Sequence, residues 1–191
     1  MMIYPVTVYG DPLLRKVAKP IDSDFKGLKE LIENMYETMY HSEGVGLAAP
    51  QIGKSLRIFV VDASSAADED EPELEGFKKA FINPEILERT GDKWVMNEGC
   101  LSLPEIREDI SRPERVKIKY LDENLEEHIE EYGGFAARVI QHEYDHLDGV
   151  LLIDYLSPLR KRILKSKLTA ISKGKVNTSY RIVLPGKSKL V

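Results

Sequence analysis

GFAARVIQHEYDHLDG, Gly134 to Gly149, is the stretch that decides how the rest of this chain is read. Phe135, Val139, Ile140 and Leu147 are apolar at helical spacing, and Gly149 suits the stop after the last turn. A helix with that much apolar surface is buried, so the strands around it must pack against it. Inside it lies His142-Glu143-Tyr144-Asp145-His146, an HExxH pattern. Residues four apart stand one turn apart on the same helix face. Two imidazoles so placed can grip one metal ion, and Glu143, beside the first, is placed to take a proton from a water that the ion activates. Ordinary surface histidines can share this spacing, but an otherwise apolar helix is a poor setting for them.

Upstream, Met1 to Pro20 reads as an irregular arm broken by Pro5, Pro12 and Pro20. Asp22 or Ser23 can cap a helix running to about His41, with Leu28, Leu31, Ile32, Met35 and Met39 on one apolar face. Gly44 to Gly53 is a loop of small residues, followed by a strand over Leu56 to Asp62. Residues 63–76 (ASSAADEDEPELEG) are acidic and without periodicity, and are expected to form an exposed loop with no chemistry. Short strands are expected at Ala80–Ile82, Glu88–Met96, Val116–Leu121 and Glu126–Tyr132, the last two as a hairpin around Asp122–Asn124. A third helix begins with Ser157 as cap and Pro158 in its first turn, and ends near Gly174. The expected fold class is α+β: antiparallel sheets around a central HExxH-bearing helix, with an N-terminal and a C-terminal helix, in a single domain over 1–191.

The 191 residues carry 42% apolar residues and a net charge of -5, a soluble globular composition. Charge is unevenly spread. Residues 155–191 hold ten Lys and Arg and no acid, so all 32 acidic residues lie at or before Asp154. Such a basic segment suits a polyanionic partner such as RNA, or simply a solvated helix face. No signal-peptide pattern and no long apolar run is present, and Cys100 is the only cysteine. A cytoplasmic protein is expected, with neither membrane nor DNA as partner.

Two histidines do not complete a catalytic site. Nothing after His146 is Glu or His; Leu152 stands where an extended zinc-protease pattern would place a third His, and Asp148 and Asp154 are the acidic residues downstream. Upstream, Cys100 follows Gly99, which favours close backbone approach to a ligand. A Cys-His-His set leaves a fourth position for water, which is the layout of a catalytic site rather than a closed structural one.

Three segments together, GVGLAAPQIG at 44–53, EGCLSLP at 98–104 and QHEYDHLDG at 141–149, resemble the motifs of the peptide deformylase family in their order and separations. The likeness in layout runs from the N-terminal arm to the third helix; 63–76 looks like an insertion, and 175–191 is a less familiar tail. The resemblance implies a hydrolase that removes the formyl group from N-formylmethionyl peptides of new proteins and releases formate. It implies Cys100, His142 and His146 as metal ligands and Glu143 as general acid and base. Gln51, through its side-chain amide, and Leu101, through its backbone N–H, would stabilise the oxyanion, and Gly46 would bond substrate through its backbone. It further implies ferrous iron as the physiological ion, with zinc, nickel or cobalt able to replace it. A methionine slot would then be walled by Phe135 and Val139, which share a helix face with His142 and His146, and by Val45 and Met96 opposite. Arg138 falls off that face and is expected at the rim. Gly44–Gly46 and Leu101–Leu103 are expected as extended segments that pair with substrate backbone. The basic C-terminal segment could dock on the ribosome. Two other functions fit parts of the pattern: a zinc peptidase of the HExxH type, and a non-catalytic ribosome- or RNA-binding protein with a structural metal.

Overall fold

The computed structural model describes residues 2–186. Seven strands and three α-helices make an α+β fold: β1 (Val6–Thr7), α1 (Leu28–His41), β2 (Gly46–Ala48), β3 (Ile58–Asp62), β4 (Lys78–Gly99), β5 (Arg107–Leu121), β6 (Glu127–Tyr132), α2 (Gly134–Leu147), α3 (Pro158–Ser172) and β7 (Ile182–Val183). Strands β2 to β6 lie in sequence order in one antiparallel sheet, each paired with the next. Among the described residues no helix is long and apolar enough to cross a membrane.

The central helix is as buried as its composition requires. Ala137, Val139, Ile140 and Leu147 of α2 join Phe59, Phe81, Val116 and Ile118 of the sheet in one core cluster. Methionines 35 and 39 of α1 are fully buried against Leu47, Ile58 and Val60 in a second cluster, which accounts for them as packing. Helix α1 begins later than Asp22 or Ser23 would have it. Gly27, at φ 82, is its N-cap, and residues 22–25 close a separate turn through Phe25 N–H to Asp22 O.

The largest departure from the sequence expectation is the hairpin β4–β5. The two expected strands at 80–82 and 88–96 are one strand of 22 residues, kept continuous by register irregularities between Ile82 and Glu88 and again between Thr90 and Lys93. Strand β5 starts at Arg107, nine residues before the apolar alternation at Val116. Residues 107–115 are rich in charge, and only pairing with β4 holds them extended, a long-range cause that local pattern does not carry. The short loop between β4 and β5 therefore begins at Cys100.

Three further segments are more ordered than expected. The arm contains β1, which pairs in parallel with β7, and a 3₁₀ turn over Pro12–Arg15. The acidic stretch 63–76 is not wholly exposed: Ala63 and Leu74 are buried, and Glu71 accepts the Phe135 N–H at 2.9 Å, capping α2. The tail after Gly174 returns along the body, where Val176, Ile182 and Leu184 pack on a third cluster. Residues 187–191 of the expected tail lie outside the described residues.

Candidate active site

Three elements carry the site. Helix α2 supplies His142, Glu143 and His146; the end of β4 supplies Glu98, with Cys100 just beyond it; the turn after β2 supplies Gln51. The Cys100 Sγ lies 3.3 Å from His146 Nε2, and one donor atom each from Cys100, His142 and His146 fall within 4.8 Å of one another. Donors bound at about 2.0–2.3 Å to a single tetrahedral ion sit roughly 3.3–3.6 Å apart, so this set fits one ion. One thiol and two imidazoles are a donor chemistry suited to several first-row divalent ions. Asp154, a downstream alternative, is engaged by Arg15 and the Leu151 N–H, and Asp148 is exposed and paired with Arg57.

His142 is oriented from behind. Its Nδ1 meets Glu98 Oε2 at 2.9 Å, which turns the other ring nitrogen toward Cys100 and His146. Glu98 is held in turn by Arg112, through Nε at 2.7 Å and a second nitrogen at 3.0 Å, and by Arg138 at 3.0 Å. Arg112 also reaches Asp145 at 2.7 Å. Such a carboxylate behind a ligating histidine fixes the ring and raises its basicity. Burial alone would raise the Glu98 pKa, but hydrogen bonds from His142 and Arg112 and the Arg112 charge bring it down to about 2. Burial also acts to lower the pKa of both histidines. At His142 the partners Cys100 and Glu98 override it and hold the pKa well above the ordinary value; at His146 the charges of His142 and Arg112 add to burial and keep it well below.

Glu143 differs from Glu98 in having no such support. It is 4% exposed, and its Oε2 has no hydrogen-bond partner among the described residues. Burial pushes its pKa up to about 7, against the lowering charges of His142 and Arg112. A carboxylate poised near neutrality is suited to taking and returning a proton. Gly46 makes room for it: a Cβ built on Gly46 would stand 2.5 Å from Glu143 Oε1.

Gln51 is buried with its amide oriented. Its Oε1 accepts the Ala48 N–H at 2.7 Å, and its Nε2 faces the Cys100 sulfur at 3.7 Å. Among the described residues nothing accepts the Leu101 N–H. Gly44, Val45, Gly46, Met96, Phe135, Arg138 and Val139 all line the same cavity of about 560 Å³ as Gln51, Cys100 and Glu143.

Two expectations are corrected. Arg138 is not at the rim but 2% exposed, bonded to Glu98 and to the carbonyls of Ile110 and Trp94, with its guanidinium 4.3 Å from the Trp94 ring centre. Its helical phase does turn it off the ligand face, but that neighbouring face packs against β4 and β5. Leu101–Leu103 is not an extended edge either. Leu103 N–H closes a turn onto Cys100 O at 2.9 Å, and the Ser102 carbonyl is taken by the Tyr9 N–H. Of Gly44–Gly46 only Gly46 lies in a strand: Gly44 N–H still bonds Met39 O at the end of α1, and the chain bends at Val45. Val45 O accepts the Asp62 N–H, so in an antiparallel ladder the next residue, Gly46, turns its backbone groups away from β3.

Sequence reading missed Glu98, Arg112, Asp145 and Tyr155, whose hydroxyl donates to Asp145 at 2.8 Å and accepts from Arg112 at 3.2 Å. Glu98 lies two residues from Cys100, and strand alternation puts it on one face with Met96; that was an available signal. Nothing local marks Arg112, whose partners are 14 and 33 residues away.

An antiparallel sheet packed on a buried HExxH helix, with a thiol from a hairpin end beside the two imidazoles, has the layout of the metal-dependent hydrolases. A family model described as Polypeptide deformylase matches residues 3–162. The chain is 53% identical over 194 residues to the peptide deformylase of Christiangramia forsetii, covering 98% of this chain and 99% of the relative. It is 50% identical to that of Cytophaga hutchinsonii, over 96% of this chain and 98% of the relative. Among solved structures, peptide deformylase from Thermotoga maritima aligns with TM-score 0.74 at 50% identity, over 83% of this chain and all of the other. That from Thermus thermophilus aligns with TM-score 0.79 at 38% identity, over 91% and 100%. The chain belongs to the peptide deformylase family, and it is an enzyme. Neither the zinc-peptidase reading nor the non-catalytic RNA-binding reading gains support from these relatives.

Proposed function

We propose that this enzyme removes the formyl group from N-formylmethionyl peptides, with Cys100, His142 and His146 holding one divalent ion. When bound, the ion supplies a Lewis acid that polarises the formyl oxygen and lowers the pKa of water. Glu143 takes a proton from the attacking water and passes it to the departing amine, so formate and a free N-terminal methionine are the products. The amide of Gln51 and the N–H of Leu101 aim at the oxygen on which charge develops, and one such donor contributes about 3 kcal/mol. Glu98 orients His142. The observation that carries the reading is the meeting of one sulfur and two imidazoles beside a buried, unpartnered carboxylate.

Formate release from formyl-Met-Ala-Ser, with metal analysis of anaerobically purified protein, tests it. The natural chain is expected to hold one ion and release formate, and Cys100→Ala to lose both. Retained metal and activity in that variant, or no formate from the metal-loaded natural chain, would overturn the assignment.

Ferrous iron is the proposed native ion, with zinc, nickel or cobalt able to occupy the purified protein; an iron–thiolate pair predicts activity lost in air and protected by reductant. Val45, Met96, Phe135 and Val139 are the proposed methionine slot. Val139→Trp should lower turnover of formyl-Met-Ala with metal content intact, and unchanged kinetics would remove the slot. Substrate backbone is proposed to pair with Gly44–Gly46 alone, since the facing segment is a turn. A cytoplasmic location is proposed, with docking on the ribosome through the basic C-terminal segment, where Lys161, Arg162, Lys165 and Lys167 of α3 are exposed. Ribosome binding that is absent or insensitive to salt would remove that part.

A further inference from the structure

We infer that Tyr180 is a positioning residue: its hydroxyl locks the turn Cys100–Leu103 that presents the Leu101 N–H to the substrate. The inference rests on the assignment of that N–H as an oxyanion donor.

A four-residue turn closed by Leu103 N–H on Cys100 O leaves Leu101 and Ser102 at its two central positions. The peptide between them has no partner within the turn. The Leu101 N–H is carried by the preceding peptide, whose carbonyl, Cys100 O, accepts from Leu103, so the N–H keeps its aim only while the turn stays closed. Two of the three carbonyls here are held by backbone: that of Cys100 by Leu103, and that of Ser102 by the Tyr9 N–H at 2.9 Å. The central one, Leu101 O, is held by a side chain, accepting from the Tyr180 hydroxyl at 2.8 Å. Tyr180 therefore adds the one hold on the closed turn that the main chain does not supply.

The phenol is delivered by a segment anchored on both sides. Before it, Val176 packs on the third core cluster, and the Asn177 N–H donates to the Glu105 carboxylate at 3.2 Å. After it, β7 pairs with β1, and the Val6 N–H donates to Arg181 O at 2.8 Å. Thr178 Oγ donates to the Tyr180 carbonyl at 2.8 Å. Burial, and then the Cys100 side chain, push the Tyr180 pKa above the ordinary phenol value, so the hydroxyl remains a donor across the working pH range. Asn177 to Tyr180 line the same cavity as Cys100 and Gln51, so the segment is a wall of the site and not a distant appendage.

Tyr180→Phe keeps the ring and its packing and removes only the hydroxyl. In the metal-loaded enzyme, amide hydrogen exchange at Leu103 is expected to quicken about 3- to 10-fold, the scale of one lost hydrogen bond. The kcat for formyl-Met-Ala-Ser should fall by a similar factor, with KM within about twofold, metal content unchanged and Tm lowered by no more than about 4 °C. Unchanged exchange at Leu103 overturns the lock, whatever the kinetics do. Faster exchange with unchanged kcat overturns the catalytic consequence, and places the failure in the role given to Leu101. A raised KM at constant kcat means that Tyr180 contacts the peptide directly, which also overturns the positioning role.

Discussion

Gly46→Ala adds a single methyl group, and the structure says where it goes. The Cβ would lie 2.5 Å from Glu143 Oε1, 2.7 Å from its Cγ and 2.8 Å from its Cδ. No positive φ is required of Gly46, so alanine meets no backbone strain, and the whole perturbation falls on the carboxylate. Ordinary contact begins near 3.4 Å, so Glu143 must retreat by about 0.9 Å, and a misplacement of about 1 Å costs on the order of 100-fold in rate. Removing a general acid–base altogether costs about 10²–10⁴-fold, so the variant should approach but not exceed the loss in Glu143→Ala. The assay is formate release from formyl-Met-Ala-Ser across substrate concentration, with metal content and Tm measured on the same preparation. The expected result is a kcat lowered about 100-fold, a KM changed far less, and metal retained, because the three atoms nearest the added Cβ all belong to Glu143 and none to Cys100, His142 or His146. Turnover within threefold of the natural chain would refute the reasoning. It would mean either that Glu143 has room to move without consequence or that it does not carry the proton.

Two other carboxylates, Glu98 behind His142 and Glu71 at the start of α2, can be tested in the same way. Glu98→Gln leaves two buried guanidiniums short of a countercharge and should cost about 3–5 kcal/mol of stability and about 10- to 100-fold in metal affinity; denaturant unfolding and competition with a chelator read these separately, and losses below 1 kcal/mol and threefold would remove Glu98 from its role. The pH dependence has a definite sign. A carboxylate held at about 2 when folded and near 4.5 when unfolded contributes on the order of 3 kcal/mol above pH 4.5, and loses it as pH falls through 2. The stability gap between Glu98→Gln and the natural chain should therefore be widest at neutral pH and close between pH 4.5 and 2; a constant gap would contradict the depressed pKa. Glu71→Ala removes the cap on α2 and should cost about 1 kcal/mol, lowering Tm by roughly 2–4 °C, with formate release within twofold. An unchanged Tm would return the acidic loop to the featureless role that its composition suggests.

The features that local chemistry controls were legible from the chain alone. His142 and His146 share a face because helical geometry puts residues four apart in line, and Ser157 caps α3, accepting the Arg160 N–H, because a hydroxyl there meets a free amide. The hairpin Val116–Tyr132 followed from alternation and its turn. Cys100 as a third donor beside the two imidazoles was legible only as a candidate, since 42 residues separate it from His142. What the residues around it do depends on which strands meet. The charge-rich stretch 107–115 is a strand because β4 pairs with it, and Arg112 finds Glu98 only across that pairing. Arg138 leaves the ligand face by phase, but whether that direction is water or protein is set by where the sheet packs. The tail shows the same division: its composition marks it as basic, and only its return alongside β1 brings the Tyr180 hydroxyl to the turn after Cys100. Spacing along a helix or strand is a property of the backbone and travels with the sequence. A contact between residues far apart in the chain exists only once the packing that closes the loop between them has offset its entropy.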